Sequence, residues 1–112
     1  MATDPGTQTV TQNRERGRFE IAVDGKRVGL ARYVEDVGRR VFFHTEVDES
    51  FSGQGLAGVM VRQALDATRE EGLRIVPVCP YVAAYVKRHH DWDDLLDRVG
   101  REALDAVRRV DS

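Results

Sequence analysis

Apolar and polar side chains alternate with a period of two along residues 18–47, which is typical of strands with one buried face. Three strands are predicted, at residues 18–23, 27–34 and 41–47. Asp24 and Gly25 form a tight hairpin signal between the first two strands. The third strand is the most hydrophobic, and we therefore expect it near the centre of the sheet.

The pattern then changes to that of an amphipathic helix, with Leu56 and Met60 on its apolar half and Gly72 as its expected end. Three further elements are predicted: a strand at residues 74–79, a helix beginning at Pro80 and a C-terminal helix from about residue 93. Pro77 indicates that the fourth strand lies at an edge or contains a bulge. The order predicts an α+β fold, an antiparallel β-meander followed by helix, strand, helix and a C-terminal helix.

Residues 1–17 contain one sizeable apolar side chain, Val10, which is too little to offset the entropy of ordering the segment. We therefore predict a disordered N-terminal tail. A single domain is expected to follow at residues 18–112, with the helix from about residue 93 as its C-terminal element.

Composition and charge exclude several classes of partner and site for this chain. The chain is 41% hydrophobic and has a formal net charge of −2, so we expect neither nucleic acid nor an anionic membrane as partner. It contains no secretory signal and no spanning apolar run, which favours a cytoplasmic location. Cys79 is the only cysteine and forms no internal disulfide. His89 and His90 point about 100° apart on a helix, so no metal site is expected.

Three glycines, at positions 53, 55 and 58, stand where the third strand gives way to the first helix. Such a junction favours an anion, because glycines allow close backbone approach and the helix N-terminus offers free N–H groups. The letters also match the G-x-G-x-x-G dinucleotide motif. That reading is disfavoured because residues 75–79 contain no acidic residue and too little chain remains for further βαβ units. A purely structural glycine turn stays open.

Three strings in order carry a resemblance: HTEV at residues 44–47, GQGLAG at residues 53–58 and VPVCPYVAAYVKRH at residues 76–89. Together they resemble small single-domain members of the GNAT superfamily of acyl-CoA N-acyltransferases, over about residues 18–96. The superfamily fingerprint of Gln or Arg, Gly, and Gly or Ala falls here on Ser52, Gly55 and Ala57. Ser52 departs from it, so the long polar or cationic contact that the fingerprint residue makes with phosphate is missing here.

The resemblance implies acetyl-CoA as acyl donor, with its pyrophosphate on the loop N–H groups and its pantetheine arm beside the third strand. It implies these coenzyme-binding residues: Glu46, Val47, Ser52, Gly53, Gln54, Gly55, Leu56, Ala57, Gly58, Tyr85 and Arg88. The thioester would then lie between the HTEV and VPVC strings.

Four residues near the implied thioester are candidate catalytic groups. Glu46, at the end of a buried strand, is a candidate base because desolvation would favour proton uptake. His44 is the alternative base, on the same strand face. Cys79 is either chemical or a small buried hydrophobe. By its place in the AAYVKRH string, Tyr85 looks like the tyrosine that protonates the departing thiolate, and it also fits a core position.

The sequence thus predicts an N-acetyltransferase that transfers acetyl directly from acetyl-CoA to an amine. A coenzyme A binding module without activity and a structural α+β interaction domain are the alternatives. The acceptor, a small molecule or a protein, is not identified by the residues. The apolar stripe of the C-terminal helix is compatible with packing on its own sheet or with a homodimer.

Overall fold

The computed structural model describes residues 7–111, without the side chain of Asp111. The strands and helices are β1 (Gln8–Asn13), β2 (Arg18–Val23), β3 (Lys26–Asp36), β4 (Arg39–Val47), α1 (Leu56–Glu70), β5 (Arg74–Pro77), α2 (Pro80–Arg88) and α3 (Arg101–Asp111). Two 3-10 turns, Glu49–Phe51 and His90–Leu95, follow β4 and α2. The predicted α+β fold is confirmed.

The five strands form one sheet in the order of the sequence. β1 to β4 pair antiparallel, and β5 pairs parallel with β4 at the edge of the sheet. An edge position was one of the two predicted for this proline-containing strand. Asp24 and Gly25 both have positive φ, at 52° and 87°, which is the tight hairpin predicted between β2 and β3. None of the helices within residues 7–111 is both long and apolar enough to span a membrane.

Helices cover both faces of the sheet. α1 and α2 pack on one face, where Phe19, Phe42 and Leu65 belong to the main core. α3 packs on the other face, where Ala103 meets Val41 of β4. Because β4 has a helix on each face, its first half is buried on both sides, as its hydrophobic sequence indicated.

The prediction of a disordered tail over residues 1–17 is wrong for the part that the structure describes. Gln8–Asn13 forms β1, which pairs along its whole length with β2. An edge strand needs few apolar residues, because backbone hydrogen bonds hold it and threonine favours extended structure. Val10 packs against the main core, and Gln12 donates a 2.7 Å hydrogen bond to the Tyr33 hydroxyl. Residues 1–6 of the predicted tail lie outside the described residues.

The C-terminal helix begins later than predicted, at residue 101 instead of about 93. The chain before it is held in extended form at the sheet edge: Leu96 bridges Ile75, and the Asp97 N–H donates to the Ile75 carbonyl at 2.8 Å. Gly100 lies between this segment and α3, and glycine is a poor helix former. The prediction of one continuous helix was therefore wrong.

A fully buried arginine lies between the sheet and the C-terminal end of α1. Arg40 is 0% exposed, and its guanidinium donates to Glu71 at 2.7 Å, to Glu35 at 2.5 Å and to the Thr68 hydroxyl at 3.3 Å. It also lies 4.5 Å above the Tyr33 ring. A buried charge of this kind is tolerated only because carboxylates neutralise it.

The ion pair between Arg40 and Glu71 predicts an acid-sensitive contribution to stability. The hydrogen bond from Arg40 holds the pKa of Glu71 below its usual range. A carboxylate with a lowered folded-state pKa contributes stability above its unfolded pKa, about 4.3 for glutamate, and loses it as pH falls through the folded value.

We therefore expect Glu71→Gln to lose stability at pH 7 and to show a weaker loss on acidification below about pH 4.3 than the parent chain. Urea unfolding at pH 7, 4 and 3 measures both effects. Glu70→Gln, at the exposed neighbouring position, is the control. Parallel pH curves for the parent and Glu71→Gln would contradict the assignment.

Candidate active site

The loop between β4 and α1 exposes backbone N–H groups at a helix N-terminus. Gly53 and Gly55 have φ of 83° and 74°, a left-handed conformation that favours glycine. Gly55 is the N-cap of α1, and within the described chain no side chain caps this end and no acidic residue lies in the first turn. The free N–H groups and the positive end of the helix dipole therefore face an exposed loop, an arrangement that favours an anion.

Most of the coenzyme-binding residues predicted from the sequence lie in this loop and in the first turn of α1. They are Ser52, Gly53, Gln54, Gly55, Leu56, Ala57 and Gly58. The side chain of Leu56 is buried in the main core, so this residue could offer only its backbone to a ligand. The hydroxyl of Ser52 donates to the Glu49 carbonyl at 2.9 Å, which uses its proton within the preceding turn.

Beside this loop, β4 and β5 diverge. Their ladder ends at the pair of Phe42 with Pro77. The N–H groups of Val78 and Cys79 then both donate to the carbonyl of Phe42, at 3.0 and 2.8 Å, and the chain turns away into α2. β4 continues to Val47 with β3 as its strand neighbour. The edge of β4 after Phe42 thus has no ladder with another strand among residues 7–111, and an extended ligand could pair with it.

Thr45 and Cys79 face each other across the mouth of this divergence. Their Oγ1 and Sγ atoms lie 3.2 Å apart, and Cys79 is 4% exposed. Cys79 belongs to the main core. Its buried position agrees with the sequence-based alternative of a small buried hydrophobe and leaves its Sγ beside the diverging strands. Thr45 was not identified from the sequence.

His44 and Glu46 form a hydrogen-bonded pair on the opposite sheet face from Thr45. Nε2 of His44 lies 2.6 Å from Oε2 of Glu46, and the two side chains are 46% and 60% exposed. The sequence predicted that they share a face, and they do. The prediction that Glu46 is desolvated at the end of a buried strand is wrong, because β5 has already diverged here and the Glu46 side chain is 60% exposed.

A bulge in β4 decides which side chains face which way. The register with β3 shifts at Phe43, so that Phe42 pairs with Tyr33 whereas His44 pairs with Arg32. Strict alternation from Phe42 would turn His44 toward α1 and α2. The extra residue reverses the alternation and turns His44 and Glu46 to the face on which α3 packs.

Tyr85 on α2 lies against the beginning of α1. It is 7% exposed, and its ring is 4.3 Å from the His89 ring and 5.9 Å from the Trp92 ring, measured between centroids. A Cβ on Gly58 would lie 3.7 Å from the Tyr85 ring, in ordinary contact. Burial raises the pKa of Tyr85, so its hydroxyl keeps its proton at neutral pH.

The remaining sequence candidates lie toward the end of α2. Arg88 is exposed in the last turn of that helix. Nδ1 of His90 lies 3.0 Å from a carboxylate oxygen of Asp93, while the His89 ring contacts Tyr85. In the part of the chain that the structure describes, no group of three or more His, Cys, Asp or Glu side chains could hold a metal ion. The absence of a metal stays a prediction.

Comparison with known proteins identifies the family. A model of the GCN5-related N-acetyl-transferase family matches residues 18–95. The chain belongs to this family. The resemblance inferred from its three strings is thereby confirmed.

Relatives and solved structures agree with this assignment. The chain is 33% identical to Protein NATD1 of Mus musculus over 86 residues, which is 75% of this chain and 78% of the mouse protein. It is 33% identical to Protein NATD1 of Homo sapiens over 82 residues, 71% and 73% of the two chains.

Two solved acetyltransferase-like structures share the fold of this GNAT domain. A GCN5-like protein from Staphylococcus aureus superposes with a TM-score of 0.64 at 19% identity, over 83% of this chain and 91% of that one. The ribosomal-protein-S18-alanine N-acetyltransferase of Escherichia coli gives 0.57 at 17% identity, over 69% and 53%.

Proposed function

We propose that this GNAT domain transfers an acetyl group from acetyl-CoA directly to an amine. The observation that carries the proposal is the divergence of β4 from β5 beside the uncapped N-terminus of α1. The two features provide, side by side, an open strand edge for an amide-containing arm and N–H groups for a pyrophosphate. Acetyl-CoA supplies the activated acyl group of the reaction.

In the proposed complex the coenzyme phosphates are held by the backbone of residues 54–58 and its arm by the edge of β4 at Glu46 and Val47. Ser52 lacks the long polar or cationic side chain of the family fingerprint, so the loop backbone carries most of the phosphate binding. Arg88 in the last turn of α2 is assigned a charge contact with the coenzyme.

The proposed reaction needs one group that accepts a proton from the amine and a second group that donates a proton to the thiolate. The pair of His44 and Glu46, joined at 2.6 Å and open to solvent, accepts the proton of the acceptor amine directly or through water. The hydroxyl of Tyr85, kept protonated by burial, donates a proton to the departing thiolate. Thr45 and Cys79 line the mouth of the diverging strands, and Cys79 carries no covalent acetyl group.

Ligand-dependent stability tests the proposal. Acetyl-CoA at about 100 times its Kd should stabilise the chain by about 2.7 kcal/mol, or roughly 10 °C in Tm, and NADH should give no shift. Amine acetylation followed by thiol release then separates an enzyme from a binding module. The absence of a shift with both acetyl-CoA and coenzyme A would refute the proposal, and binding without turnover of any amine would favour the module.

Two glycines that flank α1 allow a matched comparison in the same assay. Gly55 and Gly72 lie at opposite ends of the helix, both have φ of 74°, and a Cβ on either meets nothing within 4 Å. Alanine at either position therefore introduces the same backbone strain, about 1 kcal/mol. We expect Gly55→Ala to weaken coenzyme A binding about tenfold because it also disturbs the phosphate-facing N–H groups, whereas Gly72→Ala should bind normally.

A further inference from the structure

Two side chains meet across the mouth between β4 and β5. Oγ1 of Thr45, on β4, lies 3.2 Å from Sγ of Cys79, the residue before α2. Atoms at this separation are in direct contact, so no ligand atom fits between them. The contact lies on the sheet face that carries α1 and α2, because Cys79 belongs to the main core. His44 and Glu46 lie on the other face, where their side chains are about half exposed.

Both sides of this contact are rigid. The Cys79 N–H donates to the Phe42 carbonyl at 2.8 Å, and the Cys79 carbonyl accepts from the Ala83 N–H at 2.9 Å. Pro80 follows as the first residue of α2, and its ring fixes φ. On the other side, Thr45 lies in the ladder of β4 with β3, and a β-branched side chain is stiff at χ1. Neither side chain therefore moves aside without a cost.

The direction of the bound coenzyme brings its acyl end to this contact. In the proposed complex the phosphates lie on the loop after β4, and the arm pairs with the strand edge at Glu46 and Val47. The arm then runs back along β4, and Thr45 is the next residue that it meets. Nearer to Phe42 the two strands are joined, because two N–H groups after β5 donate to the Phe42 carbonyl at 3.0 and 2.8 Å. The end of an acyl chain therefore points at Thr45 and Cys79.

We propose that Thr45 and Cys79 set the length of the acyl group that this domain accepts, and that they restrict it to acetyl. The inference rests on the acetyltransferase function proposed above and adds the residues that select the acyl donor. An acetyl group ends before the contact, whereas each further methylene must enter space that the γ atoms of Thr45 and Cys79 already fill. Cys79 acts here through its size and not through its thiol chemistry.

Coenzyme A thioesters that differ only in chain length test this restriction without an acceptor amine. Calorimetric titration of the full chain gives the Kd of acetyl-CoA, propionyl-CoA and butyryl-CoA. In an open apolar pocket each added methylene would tighten binding about fourfold. Against the contact of Thr45 with Cys79 we expect the opposite order, with butyryl-CoA bound about tenfold more weakly than acetyl-CoA.

Two threonine variants separate size from hydrogen bonding. Thr45→Ala removes both γ atoms and should lower the ratio of the butyryl-CoA Kd to the acetyl-CoA Kd by about threefold or more. Thr45→Val keeps two γ atoms without the hydroxyl, so it should retain the ratio of the parent chain. Thr11→Ala, on β1 at the opposite edge of the sheet, is the control. The ratio is taken within each variant, so a general change in coenzyme affinity cancels.

Cys79→Ala and Cys79→Ser form the corresponding pair on the other side of the contact. Serine keeps a γ atom and alanine does not, so only Cys79→Ala should lower the ratio to the extent seen for Thr45→Ala. Thr45 is partly exposed, and its variants therefore decide the matter even where a change at the buried Cys79 prevents folding. An unchanged ratio in Thr45→Ala would overturn the assignment, and so would an equal loss in Thr45→Val and Thr45→Ala.

The same titrations separate this inference from the proposed function. If the parent chain binds butyryl-CoA as tightly as acetyl-CoA, the restriction to acetyl is wrong and acetyl transfer stands. If neither the thioesters nor free coenzyme A bind, the proposed function is refuted and the restriction falls with it.

Discussion

Replacement of Glu46 by glutamine is expected to lower kcat for amine acetylation about 100-fold, the usual contribution of a positioned general base. The amide keeps the size of the side chain but cannot take a proton or stabilise a protonated His44 across their 2.6 Å contact. Coenzyme A binding should persist, because the loop and the strand backbone are unchanged. Steady-state kinetics together with calorimetric titration of coenzyme A measures both quantities.

The partner residue shows whether the two side chains act as a unit. His44→Gln should also lower kcat, and the double variant should be little worse than the more impaired single one, since removal of either group disables the pair. Glu49→Gln is the matched control, because Glu49 is an exposed carboxylate three residues further along the chain. A kcat for Glu46→Gln within twofold of the parent would remove the pair from the mechanism.

Arg40→Ala is expected to lower the free energy of unfolding by about 3 kcal/mol, a large share of the stability of a domain of this size. The substitution removes a fully buried side chain from between the sheet and the end of α1. It also takes the shared cation away from Glu35 and Glu71, and Glu71 keeps only its 3.3 Å pair with the exposed Arg14 among its described ion pairs. Urea denaturation followed by circular dichroism gives the value directly.

Two further variants separate the causes of this loss. Arg40→Met fills much of the same volume, so the stability that it recovers relative to Arg40→Ala reports packing and the remainder reports the charge. Arg108→Ala removes an arginine whose side chain is 77% exposed and should stay within about 0.5 kcal/mol of the parent. An Arg40→Ala variant as stable as Arg108→Ala would show that the buried ion pairs contribute nothing net.

The local pattern was sufficient for the central part of the fold. Alternation defines β2, β3 and β4, and the Asp24 and Gly25 pair defines the first hairpin, because both signals depend on residues that are close in the sequence. The apolar face of α1 follows in the same way: Leu56 and Met60, which the sequence placed on it, are both buried. β1 was not predicted, because its side chains are mostly polar and it is held in the sheet by hydrogen bonds to the backbone of the neighbouring strand.

The candidate site likewise has features that the sequence predicted and features that it did not. The glycine loop at residues 53–58 and the strings around it identified the family from the sequence by themselves, and the family comparison agrees. The exposure of Glu46 and the approach of Thr45 to Cys79 were not visible in the sequence. Each depends on segments that are distant in the chain and meet only when the sheet is assembled.

The sequence by itself determined the order of the elements from β2 to α3, the glycine junction and the membership of the GNAT family, because periodicity, turn chemistry and short motifs are local properties. Only the tertiary structure decided where β4 leaves β5 and which way the side chains near that point face. A single bulge residue, Phe43, reverses the alternation of β4 and turns His44 and Glu46 to the face on which α3 packs, and no period in the sequence reveals an extra residue in a ladder.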